Sequence, residues 1–131
     1  MLDRLVVHLK NGEIAKGYSA DFSPEGNSFH MIAVNDPLCR EEVRLENLKA
    51  VFFVKDFEGD FLRIDSNDFT ETSASGKHIV VSFYDGELFF GTSETVDREK
   101  TGFYILPIDQ KSNIVRAFVI NSFIESVNFV E

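Results

Sequence analysis

Tryptophan is absent, cysteine occurs once, and no apolar run approaches the roughly 20 residues that cross a bilayer as a helix. A lone Cys39 excludes an internal disulfide and fits a reducing compartment. The opening MLDRLVVHLK lacks the basic segment, apolar core and small-residue cleavage site of a signal peptide, so a soluble cytoplasmic protein is expected. Basic residues are also scarce, 13 against 22 acids, for a net charge of −9. Such a field repels polyphosphate, and non-specific nucleic-acid binding draws its affinity from Lys and Arg, so nucleic acid is not an expected partner. Only Arg40 and Arg44 approach a basic patch near Lys49, and Glu41, Glu42 and Glu46 interrupt it.

The same poverty extends to catalytic chemistry. His8, His30 and His78 are scattered, no pair has helical metal-ligand spacing, and Cys39 has no companion cysteine. Cys39 sits in a loop after Pro37-Leu38 and reads as a half-buried structural thiol. With no set of nucleophile, base and orienting group, no catalytic residue, metal or cofactor is nominated, and the protein is expected not to be an enzyme.

Phenylalanine, by contrast, is abundant: 14 of 131 residues, in a chain that is 44% hydrophobic. That is enough apolar surface to offset ordering entropy. The residues are arranged in a duplication. VVHLKNGEIAKG (Val6 to Gly17) reappears as VVSFYDGELFFG (Val80 to Gly91), 74 positions later. In the first copy Leu5, Val7 and Leu9 alternate with Val6, His8 and Lys10, the period-2 signature of a strand with one buried face. Asn11-Gly12 and Asp85-Gly86 predict two-residue type I′ hairpins with positive φ at both turn residues. The returning strand, Glu13 to Phe22, places Ile14, Tyr18 and Phe22 on one face. Gly17 and Gly91 mark the place where a small curled sheet must bend. Ser23 to Asn27 is a turn, Ser28 to Val34 a third strand, and Val43 to Leu45 and Leu48 to Val54 two short final strands.

Phe29 corresponds to Phe103 at the same spacing of 74, while Val51 to Val54 matches Val127 to Val130 at 76. The two extra residues fall in a surface loop, where a duplicated fold tolerates them. The sequence therefore divides into a first copy (residues 1–55), an acidic linker (56–76) and a second copy (77–131). Within the linker, Phe57, Phe61, Leu62 and Ile64 are expected to pack on a barrel and Thr72 to Gly76 to be a mobile tether. Asp65-Ser66-Asn67-Asp68-Phe69-Thr70 opens like a calcium loop. It lacks the glycine at the sixth position and the glutamate at the twelfth, so it is taken as solvated acidic linker.

The order of strand, Asn-Gly or Asp-Gly turn, strand with glycine five residues on, Phe, turn with Asn, strand and short final hairpin resembles the Sm-like family. That resemblance covers about 50 residues in each copy. It implies two tandem small five-stranded barrels, an all-β protein of Sm-like or SH3-like type, and Gly12, Gly17, Phe22 and Asn27 fall on the family's first motif. The departures bear on function. Ser23 stands where the family has Asp. The second copy has Asp97 but Thr101 in place of the Asn. The Arg-Gly pair that contributes to the family's RNA site is Arg44-Leu45 in one copy and Ile120-Asn121 in the other. RNA binding is therefore not carried over.

Asp21, Ser23 and Gly26 form a D-x-S-x-x-G pattern that resembles half of the cyclic di-GMP signature of PilZ domains, and Arg40 and Arg44 have that family's R-x-x-x-R spacing. The order of the two halves is reversed, so an ordinary turn between strands is the preferred reading and a cyclic di-GMP sensor the alternative. The leading expectation is a non-enzymatic interaction or regulatory module. It pairs the edge strands of its final hairpins, Phe52-Phe53-Val54 and Asn128-Phe129-Val130, between its own copies or, as the favoured version, in a homodimer.

Overall fold

The structure, a computed structural model, describes residues 2–57, 77–108 and 113–130. Strands β1 (Asp3–Leu9) and β2 (Ile14–Ser19) are joined by Lys10, Asn11 and Gly12, and β6 (Lys77–Phe83) and β7 (Leu88–Ser93) open the second copy with the matching loop. In each loop the glycine N–H donates to the carbonyl three residues back, Gly12 to Leu9 at 3.0 Å and Gly86 to Phe83 at 2.9 Å. The following residue closes the hairpin by accepting from the same position, Leu9 N–H to Glu13 and Phe83 N–H to Glu87, each at 2.9 Å. Gly12 and Gly86 have φ of 94° and 89°, and among the described residues no other residue type has positive φ. The expected type I′ turn is thus corrected to a three-residue loop, a turn with ordinary φ followed by a left-handed glycine bulge. Its cause is the polar side chain before the glycine. Asn11 Oδ1 accepts the Glu13 N–H at 2.9 Å and Asp85 Oδ1 the Glu87 N–H at 3.0 Å, which ties down a negative-φ conformation.

The first copy continues through β3 (Ser28–Ala33), β4 (Arg40–Arg44), a 3₁₀ turn (Leu45–Asn47) and β5 (Leu48–Val54). The second continues through β8 (Gly102–Pro107), β9 (Ile114–Ile120), a 3₁₀ turn (Asn121–Phe123) and β10 (Ile124–Phe129). The duplication holds down to single hydrogen bonds: Leu45 N–H to Asn27 carbonyl matches Asn121 N–H to Thr101 carbonyl, and Lys10 to Asn47 matches Tyr84 to Phe123. In each copy the second and third strands pair at two positions, Gly17 with Ala33 and Tyr18 with Ile32, then Gly91 with Pro107 and Thr92 with Leu106. A Cβ at Gly17 would lie 2.6 Å from the Ile32 carbonyl oxygen, so glycine is required there by close approach of two backbones.

The ten strands of the described residues form one open antiparallel sheet in the order β10-β6-β7-β8-β9-β5-β1-β2-β3-β4. The expected all-β class is found, with no α-helix among the described residues. Each copy has its fifth strand beside its first, and the copies join where β5 pairs with β9, Val51 opposite Phe118 and Phe52 opposite Ala117. The joint is head to tail. The two closing strands, β5 and β10, do not meet, so the pseudo-twofold pairing expected of the final hairpins is replaced by a row of two like units.

Two apolar clusters result, and each draws on both copies. One gathers Val6, Ala50, Phe52 and Val54 with Ile79, Val81, Phe83, Phe103, Ile105, Ala117, Val119 and Ile124. The other gathers Leu5, Val7, Phe29, Met31, Leu45, Leu48, Val51 and Phe53 with Phe118 and Ile120. All seven residues of β5 are buried. The alternation expected of β1 is corrected for the same reason: Val6 is as buried as Leu5 and Val7, because its face of the sheet is covered by the second copy's cluster. Ile14 is exposed, contrary to its expected place beside Tyr18 and Phe22. Phe22 does reach the core, edge-on to Phe29, Phe53 and Phe118 at 5.1–5.5 Å. Of the linker's aromatic residues, Phe57 packs edge-on against Tyr18 at 5.1 Å. The expectations for Phe61 to Gly76, the calcium-like stretch and the tether included, lie outside the described residues.

Candidate functional site

Of Asp21, Ser23, Gly26, Arg40 and Arg44, the structure brings Gly26 and Arg44 to one cleft, while Asp21 and Ser23 are engaged elsewhere. Asp21 is consumed by the β2–β3 connection. Its carboxylate accepts the His30 N–H at 2.9 Å and meets His30 Nδ1 at 2.8 Å, with Ser19 Oγ at 3.1 Å. The bonds from His30 pull its carboxyl from 3.8 down to about 2. Ser23 Oγ accepts the Glu25 N–H and Gly26 N–H donates to the Ser23 carbonyl, a local turn with no inward-facing ligand set. Arg40 and Arg44 are four residues apart on β4, about 13 Å along the strand. Arg44 is held by Glu46 at 3.1 Å and Glu42 at 3.7 Å. Cys39 is half-buried, and partial desolvation, with Glu41 beside it at 3.6 Å, pushes its thiol above the usual value. That disfavours the thiolate a nucleophile needs. Among the described residues, no three His, Cys, Asp or Glu side chains gather to hold a metal ion.

The chemistry that the sequence did not flag lies at the joint. Lys49, with 5% of its side chain exposed, sends Nζ from the first copy to Asp85 Oδ2 at 2.8 Å and Glu87 Oε1 at 2.9 Å in the second copy's turn, and sits 4.7 Å from the centre of the Phe83 ring. Burial works to raise the Asp85 carboxyl, and the Lys49 bond with the Glu87 amide outweighs it, leaving the group below its ordinary value. His8 stands next to this cluster, edge-on to Phe52 at 4.7 Å. Burial lowers its pKa, Lys49 adds to that, and Glu87 and Asp85 oppose it. On the β9 side, Arg116 lays its guanidinium 4.2 Å from the Phe53 ring and 5.4 Å from Tyr104. A comparison of the copies would have found Lys49, which aligns with Glu125, but not Arg116, which aligns with Arg40.

Two clefts of about 480 Å³ each open along the seam. One has a largely apolar floor of Phe103, Tyr104, Leu106 and Phe118 under Pro24, Glu25 and Lys100. The other is polar and combines Asn27 and Arg44 of one copy with Lys100, Thr101 and Ser122 of the other. The sheet then ends in two edges. At β4, Arg40, Glu41, Glu42 and Arg44 are exposed, a charged rim of the kind that blocks strand addition. At β10, Phe129 is 57% exposed with Lys77 Nζ 5.5 Å from its ring, while Val127 and Val130 are half-buried.

No helix among the described residues is long and apolar enough to cross a membrane. No curated protein and no solved structure matches the chain. The profile of a family of unknown function, DUF6982, matches residues 1–131, and this duplicated, seam-joined chain belongs to that family.

Proposed function

We propose that the chain is a non-enzymatic protein-interaction or regulatory module of the cytoplasm, made of two Sm-like units fused head to tail. The Sm-like reading is supported by the identical strand order of the copies and by strand pairing between units. One observation carries the interaction reading: the fold covers the closing strand of its first copy with another strand, and leaves the corresponding edge of the second uncovered among the described residues, with a large aromatic side chain in solvent. Such an edge offers backbone N–H and C=O groups together with apolar contact, the combination used in strand addition. Affinity capture from the native source, followed by titration of the purified candidate, is the test. A saturable complex at micromolar concentration supports the module, and a protein that forms no complex while turning over a substrate overturns it.

A second reading, a nucleotide ligand, is favoured by the polar cleft alone, where Asn27, Arg44 and Lys100 line one space. Pairing of Arg44 with Glu42 and Glu46 weighs against it. Cyclic di-GMP has less support: of its five nominated residues Gly26 and Arg44 share this cleft, while Asp21 is bonded to His30. Calorimetric titration with a uridine oligonucleotide and with cyclic di-GMP separates the three readings, and heat that saturates only with the first favours RNA.

A further inference from the structure

The chain carries its own template for what covers a closing strand. At the seam, β9 runs antiparallel to β5 with Arg116 opposite Phe53 and Phe118 opposite Val51. Arg116 stacks on Phe53, and Phe118 enters the core. The equivalent positions of β10 are Phe129 and Val127. Val130 donates its N–H inward to the His78 carbonyl, so by the two-residue alternation of antiparallel pairing Asn128 also points inward, and Val127 and Phe129 turn their N–H groups outward. Two outward donors, an exposed aromatic ring and an exposed Glu125 therefore lie along one edge.

A second copy of this chain is a poor occupant. Among the described residues its exposed edge of the right kind is β4, which keeps a basic residue, Arg40, in the place of Arg116 but has Glu42 and Arg44 in place of Phe118 and Ile120, and Glu41 in place of Ala117. Joining head to tail would set Glu125, in the place of Lys49, against Asn11 and Glu13, in the places of Asp85 and Glu87. The attraction that closes the internal seam is lost, and a buried carboxylate pair opposes the external one.

Resting on the interaction reading above, we propose that the outer edge of β10 is a docking site for an extended segment of a different protein, added antiparallel, with a basic residue opposite Phe129 and an apolar residue opposite Val127. The basic residue stacks on the Phe129 ring as Arg116 does on Phe53, and the protein's net charge of −9 favours a cationic segment.

The probe is a synthetic peptide with the sequence of residues 113–121, NIVRAFVIN, titrated into the full chain while amide exchange is followed by NMR. In the free protein the Val127 and Phe129 amides exchange fast. The peptide protects both in a saturable manner, with a Kd on the order of 100 µM for so short a strand. Phe129→Glu, a surface change that leaves Tm within a few degrees, weakens binding at least tenfold, and a peptide with Arg116→Glu weakens it similarly. Protection of both amides before peptide is added means that the chain already holds this edge, and overturns the proposal. So does peptide binding that Phe129→Glu leaves unchanged. If the peptide fails while a captured partner still binds the Phe129→Glu protein, the interaction module stands and its assignment to β10 falls.

Discussion

The closing strands β5 and β10 occupy the same place in the two copies and meet opposite fates. β5 carries Lys49, Ala50, Val51, Phe52 and Phe53, every one of them buried, between β1 and β9. β10 offers Glu125, Ser126, Val127, Asn128 and Phe129 at the corresponding positions and, among the described residues, has no strand on its outer side. The strands that pair with such an edge diverge in parallel: β9 has Ala117, Phe118 and Ile120, and β4 has Glu41, Glu42 and Arg44. A duplicated five-stranded unit thus separates into one interface and two ends by a handful of side chains, while the backbone pattern stays the same. Specificity lies in which edges are made apolar and which are made charged.

The largest expected effect comes from giving the interface an end's residue. Phe118→Glu, which copies Glu42 onto β9, buries a carboxylate where a phenyl ring is 1% exposed, and should cost about 4 kcal/mol or more, read as the shift of a urea denaturation curve. The reciprocal change, Glu42→Phe with Arg44→Ile, should leave unfolding within about 1 kcal/mol. It should instead produce concentration-dependent association in sedimentation velocity beyond that of the native chain.

Next in size is the ion cluster. Asp85→Asn with Glu87→Gln leaves the Lys49 ammonium buried without a counter-charge, at a cost of about 2 kcal/mol, discounted because both carboxylates are themselves about half-exposed. Glu125→Lys at the matching position of the free edge should change stability by less than about 0.5 kcal/mol. Equal effects in the two places would erase the distinction between seam and end.

The hairpins are where the copies should agree. Gly12→Val and Gly86→Val each force a β-branched residue to φ near +90° and should each cost at least about 1 kcal/mol, seen as similar drops in denaturation midpoint.

The smallest effect concerns pH. His8 has a folded pKa below its ordinary 6.5, so the unfolded chain binds the proton more readily. Stability at the seam is complete above 6.5 and declines as pH falls through that value toward the folded pKa. His8→Asn should flatten this part of the stability profile.

Much of the fold was legible because its signals are local. Alternating apolar residues, Asn-Gly and Asp-Gly turns and the recurrence of Gly17 at Gly91 marked strands, hairpins and duplication without any long-range knowledge. What was not legible depended on contacts between copies. Val6 was assigned to a solvent face because nothing in β1 announces that a second cluster covers it. Lys49 looked like one base among acids until its partners, 36 and 38 residues away, were brought to it. The D-x-S-x-x-G pattern is ambiguous by itself, since a turn uses the same short polar residues and glycine that a ligand loop uses, and His30, which claims Asp21, lies outside the pattern.

The sharing of core residues across the seam also sets a schedule for synthesis. When residues 1–57 have left the ribosome, β5 has its partner β1, but Phe52 and Val54 still face the strands of a copy not yet made, and Val51 and Phe53 await Phe118. The first core is completed only after residue 120 emerges. Until then the nascent chain presents a two-sided apolar strand, the state most exposed to mispairing.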